Sequence, residues 1–393
     1  MENLLNTNDH PLIQVFENVD YYYEQAQRRT DAKIIEQADA VYFLGVGTPS
    51  FWHKAPLIAS RLSNFSGLIG GAEVRRLREH GRLNSLKSNF DIINVEEVDR
   101  SNKTLLIEFG ECLASRMFSE NLEAQFEVVN WLQAIHDLDL HHTYLPLKIE
   151  REQTYENIDA FQQIDAMFAD DFSRNTLRAR LQTLLSMDPL YLQKFQTVSG
   201  IVPKKNSHDH PICVGKNEDF VDVGAYNGDT VREFVNSVDG KYGSITAYEP
   251  DTRSFKTLSH WCDKFPRAKA YNYAVSDFSG EVSFYEDKKN SQGSHIQGNT
   301  SLQQQAEVRT CVKLDDHLTT MSLLAVDVEG YELNVIEGAR GLIEVTKPKM
   351  HISAYHYPLD IPKIVAGLAT MSHRKLFLRH QHSTLYDTNL IVA

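Results

Sequence analysis

The chain has 393 residues, 42% of them hydrophobic, which describes a folded globular protein long enough for two domains with separate cores. Its net charge of −13 argues against a general affinity for nucleic acid or anionic membrane, and no apolar run approaches the roughly 20 residues that span a bilayer. The four cysteines are widely separated, without zinc or redox spacing, and the first residues lack a signal-peptide pattern, so a cytoplasmic protein with reduced thiols is expected.

In chain order, apolar residues at helical spacing predict a helix from Leu12 to about Ala38. Ala40 to Leu44 reads as a short buried strand, followed by a turn with Gly45 and Gly47 and a helix capped by Thr48 and Pro49. Phe90–Val95 and Thr104–Phe109 are further strand candidates, and Glu123–Ile135 has helical periodicity. This half therefore reads as a small α/β domain over residues 1–150. Its glycine turn invites a dinucleotide reading, but Ser50 stands where the third glycine belongs, and no acid follows at the distance a ribose contact needs. A structural or substrate-facing role is the better reading.

Residues 151–205 predict a helical connector, with helices at Phe161–Phe168, Arg174–Leu185 and Pro189–Phe195. The polar stretch Pro203–Pro211 reads as a solvated linker, its His208 and His210 lacking a nearby third metal ligand.

A second α/β domain occupies 206–393. Phe220 to Val223 is a buried strand running into Gly224-Ala-Tyr-Asn-Gly228, and a helix follows over Thr230–Val238. Strand, glycine turn and helix together offer backbone N–H groups at a sheet edge, which suits a nucleotide or nucleoside. The next strand, from Ser244, ends in Glu249, 21 residues beyond Gly228, where a carboxylate can accept from ribose hydroxyls. A third strand is expected through Ala270–Asp277; its end either receives a flat base, with Asp277 reading an exocyclic amine, or is an ordinary turn before a strand at Glu281–Tyr285. The polar stretch Asp287–Ser301 reads as a loop over the cleft. A buried strand from Leu323 leads to Asp327, with Glu329 and Glu332 in the first turn of the helix after Gly330. Helix stabilisation explains the two glutamates better than it explains Asp327, which needs a partner or a function. The remaining strands, His351–His356, Lys375–His382 and Tyr386–Ala393, would bring His356, Arg379 and His380 to the same edge if their ends converge. A neutral histidine there can act as general base, and the same acids and imidazoles are of the kinds that bind a divalent metal, though no compact ligand motif is present.

The run VDVGAYNGDT, followed in order by AYEPD, YAVSD, LDDHL, LAVDVEGYELNVIEGA, ISAYH and YDTNLIVA, resembles the FkbM-type methyltransferases from about Phe220 to the C-terminus. That resemblance implies an S-adenosylmethionine-dependent enzyme with the mostly parallel, Rossmann-like sheet of class I methyltransferases and a reversed last strand. It further implies that Asp222, Gly224 and Gly228 contact the methionine part of the donor and Glu249 the ribose, that Ala274, Val275, Ser276 and Asp277 lie near the adenine, and that Ala225 and Asn227 belong to the same cofactor site. Tyr226 stands where the wider class often has a further glycine. Asp327 and Glu329 match the family's Asp-Val-Glu-Gly signature and, with His356 and His380, are the candidates for acceptor orientation or base catalysis. The first half is similar to the extra Rossmann-like domains of some members. Methyl transfer to a hydroxyl of a glycan sugar or small metabolite is the expected activity. The competing readings are a nicotinamide-dependent sugar-modifying enzyme using Gly45 and Gly47, and a non-catalytic nucleoside-binding partner module. The expected partner is the acceptor, with no nucleic acid and no membrane span; a homo-oligomer is left open.

Overall fold

The computed structural model describes residues 15–30, 34–86, 89–100, 102–110, 121–123, 125–141, 144–197, 200, 211–285, 295–296, 306–371, 374–382 and 384–393. They gather into two compact units. The first comprises Met1–Ile158, Asn175–Gln196 and Ser383–Leu385, and the second Asp159–Arg174, Thr197–His382 and Tyr386–Ala393. The helical stretch expected as a connector is thereby shared between them.

Among the described residues the first unit holds five strands: β1 (Ala40–Leu44), β2 (Phe65–Ile69), β3 (Asp91–Ile93), β4 (Thr104–Glu108) and β5 (Glu127–Asn130). They pair in the order β3-β2-β1-β4-β5, every pair parallel. All five residues of β4 are buried, as a parallel strand covered on both faces requires. Thr48 caps the helix Pro49–Arg61 as expected, accepting from the Phe51 N–H at 3.2 Å. The predicted helix over Glu123–Ile135 is instead the strand β5 followed by a helix at Trp131–Asp137. Two consecutive valines favour the extended chain, and the Asn130 side chain then accepts from the Gln133 N–H at 2.9 Å, starting the helix only there. Of the expected helix over Leu12–Ala38, Val19–Thr30 and Ile34–Gln37 are helical, and the rest of it within 12–14 and 31–33 lies outside the described residues.

The second unit is built on β6 (Asp219–Val223), β7 (Ser244–Tyr248), β8 (Ala268–Tyr271), β9 (Ala274–Val275), β10 (Gly280–Tyr285), β11 (His295–Ile296), β12 (Ala306–Val312), β13 (Leu323–Val326), β14 (Lys349–Ser353), β15 (Leu376–His380) and β16 (Thr388–Val392). Seven of them form one sheet in the order β15-β16-β14-β13-β6-β7-β8. Only β16 runs against its neighbours, so the last strand is reversed as expected. The carboxyl ends of the other strands share one edge. Val231, Phe234 and Val235 on the helix Asp229–Ser237 and Phe220, Ile245 and Leu323 from the strands build the core on one face.

A smaller four-stranded sheet has the order β11-β10-β12-β9. Here the sequence expectation of a third strand continuing to Asp277 fails. The main-sheet strand stops at Tyr271, and Ala274 and Val275 pair with Cys311 and Val312 in the small sheet. Asn272 explains the departure: its side-chain amide donates to the carbonyls of Glu249 at 2.8 Å and Pro250 at 3.1 Å, which turns the chain away from the edge. The expected linker Pro203–Pro211 lies outside the described residues except for Pro211, and the expected loop Asp287–Ser301 except for His295 and Ile296. Among the described residues, no helix is long and apolar enough to cross a membrane.

Candidate active site at the carboxyl edge

The main sheet's carboxyl edge opens on Asp222, the fourth residue of β6, which lies in register with Ala247 of β7 and Ala325 of β13. Its side chain is buried, at 3% exposure, and Oδ2 has no hydrogen-bond partner among the described residues. Burial first, then the nearby charges of Asp229, Asp327 and Glu249, push its pKa well above the usual carboxylate range. A carboxylate in such a position is costly unless a cation joins it.

The turn that follows is closed more tightly than the sequence suggested. Gly224 has φ +83°, and a Cβ there would come within 1.8 Å of the Asp327 carbonyl oxygen. The N–H groups of Gly224 and Ala225 both donate to Tyr248 O at 3.0 Å, Gly228 N–H to Ala225 O at 2.8 Å, and Tyr226 N–H to Glu249 Oε2 at 2.8 Å. These four amides, expected to face a ligand, are engaged by the protein. Tyr226 itself adopts φ +44°, taking without a glycine the backbone region that a glycine would favour. Asn227 is steadied by Arg232, whose guanidinium donates to Asn227 O at 3.3 Å and lies over the Trp261 ring.

Glu249 follows β7 and is 7% exposed. Besides the Tyr226 N–H, its carboxylate accepts from the Asp251 N–H at 2.7 Å. Burial pushes its pKa up to about 7, against the pull of these two hydrogen bonds. Each carboxylate oxygen keeps a further lone pair, so the group fixed here can still accept from a hydroxyl. Downstream, Ala274, Val275 and Ser276 are buried, while Asp277 is exposed and its Oδ1 accepts from the Ser276 hydroxyl at 3.0 Å.

The most concentrated chemistry lies after β13. Asp327 N–H donates to Val223 O at 2.9 Å, and Glu329 turns the chain back with φ +58°. Glu332, at 1% exposure, accepts from the Val328 and Gly330 N–H groups at 2.9 and 3.2 Å, the helix-start role that the sequence allowed it. It also meets His356, which leaves β14 for the interior: Nδ1 stands 3.1 Å from Glu332 Oε1. On the other side of the ring, Nε2 is 3.1 Å from Glu329 Oε2 and 3.3 Å from Asp327 Oδ1. The His356 side chain is 2% exposed, Glu329 26% and Asp327 50%, so two carboxylates face the cleft and one imidazole holds them from behind. Burial works against a charged His356, yet Glu332 and Glu329 hold its pKa well above the ordinary value. Burial likewise works against a charged Glu332, whose pKa His356 nevertheless lowers. Asp360, which accepts from Tyr357 N–H at 2.6 Å, adds a further buried acid beside Glu332.

Asp327, Glu329 and His356 are thus brought together as the sequence reading required, and Glu332 and Asp360 belong with them. The clue to Glu332 was its position three residues after Glu329 in the turn; nothing in the sequence pointed to Asp360. His380 and Arg379 are not brought to this group. β16 separates their strand from β14, His380 Nδ1 contacts Thr388 Oγ1 at 3.0 Å, and Arg379 pairs with Asp170 at 2.7 Å. In the first unit, the Thr48 hydroxyl contacts the carbonyls of Gly45 at 3.1 Å and Phe109 at 2.8 Å, so the Gly45–Gly47 turn is bound into its own sheet.

Residues 222–376 match the family model described as Methyltransferase FkbM domain. Among solved structures, the methyltransferase FkbM of Methylobacillus flagellatus KT superposes with a TM-score of 0.70 at 20% identity, over 95% of this chain and 98% of that one. Aeropyrum pernix fibrillarin, solved with natively bound S-adenosyl-L-methionine, aligns over 46% of this chain and 69% of its own, with a TM-score of 0.29 and 12% identity. A ribosomal protein L11 methylase from Lactobacillus delbrueckii subsp. bulgaricus aligns over 45% of this chain and 70% of its own, with a TM-score of 0.28 and 14% identity. No curated protein matches. In its sheet order and reversed last strand the second unit has the mostly parallel α/β fold of these methyltransferases, and its residues 222–376 are similar to the FkbM methyltransferase domain.

Proposed function

We propose that the second unit transfers the methyl group of S-adenosylmethionine to a hydroxyl of a glycan sugar or small metabolite. The observation that carries the donor assignment is Asp222: a carboxylate at 3% exposure, with an oxygen that has no hydrogen-bond partner among the described residues, at the strand end beside Gly224. Such a group calls for a cationic ligand. The donor is a cationic nucleoside, and Glu249 at the next strand end offers its remaining lone pairs to ribose hydroxyls. When bound, the donor supplies a methyl group already activated on a positively charged sulfur.

The chain's own work is then positioning and proton handling. Asp327, half-exposed, and Glu329 face the acceptor side; they accept a hydrogen bond from its hydroxyl and take up the proton as the oxygen is methylated. His356 and Glu332 touch no acceptor in this reading and fix the two carboxylates in place.

Calorimetric titration with S-adenosylhomocysteine, followed by mass spectrometry of a panel of hydroxylated acceptors, tests the reading. Saturable binding and a one-methyl mass gain support it. Stabilisation by NAD(H) with no response to S-adenosylhomocysteine would overturn it in favour of a nicotinamide enzyme, and donor binding without transfer to any acceptor would favour a non-catalytic module.

A further inference from the structure

We infer that His356 Nε2, Asp327 and Glu329 form a binding site for one divalent cation of the magnesium or manganese class, with Glu332 orienting the imidazole from its buried side. The inference shares residues with the proposed transfer and rests on that reading for its catalytic consequence only; the binding stands or falls by itself.

Geometry supplies the first argument. Glu329 Oε2 and Asp327 Oδ1 lie 3.1 and 3.3 Å from the same imidazole nitrogen. Ligands at right angles on a cation with bonds of about 2.1 Å lie about 3 Å apart, so each carboxylate already stands at a ligand's distance from the ring nitrogen, and an ion replacing the ring proton would meet both. Asp327 and His356 also belong, with Glu332, to a set whose ligand atoms lie within 4.8 Å of one another. A single ion cannot take both ring nitrogens. Glu332 Oε1 contacts Nδ1 and is also committed to the Val328 and Gly330 N–H groups, which makes it the carboxylate behind the histidine. A ligating histidine is commonly oriented in this way through its second nitrogen. Asp327 and Glu329 keep the exposure through which an ion and its waters would enter.

Charge supplies the second. One imidazole faces Asp327, Glu329 and Glu332, and Asp360 is buried at 8% exposure near the same ring. Asp222, two residues out of register from Asp327 on the neighbouring strand, is more than nine-tenths buried and presents an oxygen with no hydrogen-bond partner. Such a concentration of buried negative charge is stabilised by a cation. One nitrogen and several carboxylate oxygens, with no sulfur, suit a hard ion of the magnesium or manganese class. In the proposed transfer the ion would hold the acceptor oxygen and lower the pKa of its hydroxyl, whose proton would pass to the oxygen of Asp327 or Glu329 that does not bind the ion.

The test uses the full chain, stripped with a chelator and titrated with Mn²⁺, free ion being read by electron paramagnetic resonance. One ion per chain is expected, displaced by excess Mg²⁺, with selective paramagnetic broadening of the His356 ring signals in the wild-type protein. Asp327→Asn and Glu329→Gln should each weaken Mn²⁺ binding at least tenfold while S-adenosylhomocysteine still binds, which reports an intact fold. Absence of saturable Mn²⁺ binding, broadening that spares His356, or unchanged affinity in both variants overturns the inference. Loss of S-adenosylhomocysteine binding in the wild type would instead sink the methyl-transfer reading and leave the metal result standing.

Discussion

Gly224 and Asp327 are packed so closely that a Cβ on the glycine would lie 1.8 Å from the aspartate's carbonyl oxygen. That contact ties the turn after β6 to the segment carrying the candidate catalytic carboxylates. Gly224→Ala must displace backbone and also place a side chain at φ +83°. We expect a loss of roughly 3 kcal/mol or more of stability and a failure to bind S-adenosylhomocysteine. Gly228→Ala is the control: at φ +79° it carries similar backbone strain, but its added Cβ meets chiefly the end of Leu258 at 3.2 Å, a side chain that can yield, so a loss of only about 1 kcal/mol is expected. Equal losses in urea titrations of the two variants would refute the special closeness of Gly224 and Asp327.

Asp222→Asn separates stability from function. The wild-type carboxylate is buried with an oxygen lacking a partner, so its neutral isostere should leave the ligand-free protein as stable or more stable. The same change removes the charge that the cationic donor requires, and affinity for S-adenosylmethionine should fall tenfold or more. A variant that binds the donor as well as wild type would remove Asp222 from the site.

Much of this was legible in sequence because buried parallel strands announce themselves. Ala40–Leu44, Phe220–Val223 and Leu323–Val326 are apolar runs ending in glycine turns or acids, and each is a strand. Glu249 and Asp327 were legible for the same reason, as acids terminating such runs. The misses come from segments whose local pattern fits two structures. β2, interrupted by Ser66 and Gly67, has no clean period, and Val128-Val129 satisfies a helical stripe as well as a strand. Asn272, which diverts Ala274 and Val275 into the small sheet, acts through bonds to Glu249 and Pro250, some twenty residues back along the chain. The exclusion of His380 has a topological cause, since β16 inserts between β14 and β15, and no single strand records that order.

Glu249 makes the stability of the second unit depend on pH with a definite sign. Burial raises its folded pKa to about 7 from an ordinary 4.5. Between those values the folded state holds a proton that the unfolded chain has released, so this group lowers stability as pH rises from about 4.5 to 7. Asp222, raised by burial as well, acts in the same direction. Glu249→Gln should flatten part of that slope, measured as urea midpoints across the window. Glu249→Ala should also weaken donor binding by about 1.5–3 kcal/mol, the range for a lost charged hydrogen bond. An unchanged slope together with unchanged affinity would contradict both assignments.

Lys54 in the first unit supplies the opposite sign. Its side chain is 3% exposed on the helix Pro49–Arg61, near Glu150 at 1% exposure, which in turn lies 3.7 Å from Arg180. Burial lowers the Lys54 pKa from 10.5 to about 7, with Glu150 opposing the shift. Between these values the unfolded chain carries a proton that the folded unit does not, so stability rises with pH, by at most about 1.4 kcal/mol per unit for one such group. Lys54→Met should remove the rise and leave the unit more stable than wild type near pH 7, where burying the ammonium costs most. Trp52 and Trp131 belong to this unit and Trp261 to the other, so fluorescence in a Trp261→Phe background follows the first unit alone. Urea unfolding between pH 7 and 9 is the measurement. A wild-type midpoint that stays flat or falls over that interval would show that Glu150 keeps Lys54 charged in the folded state.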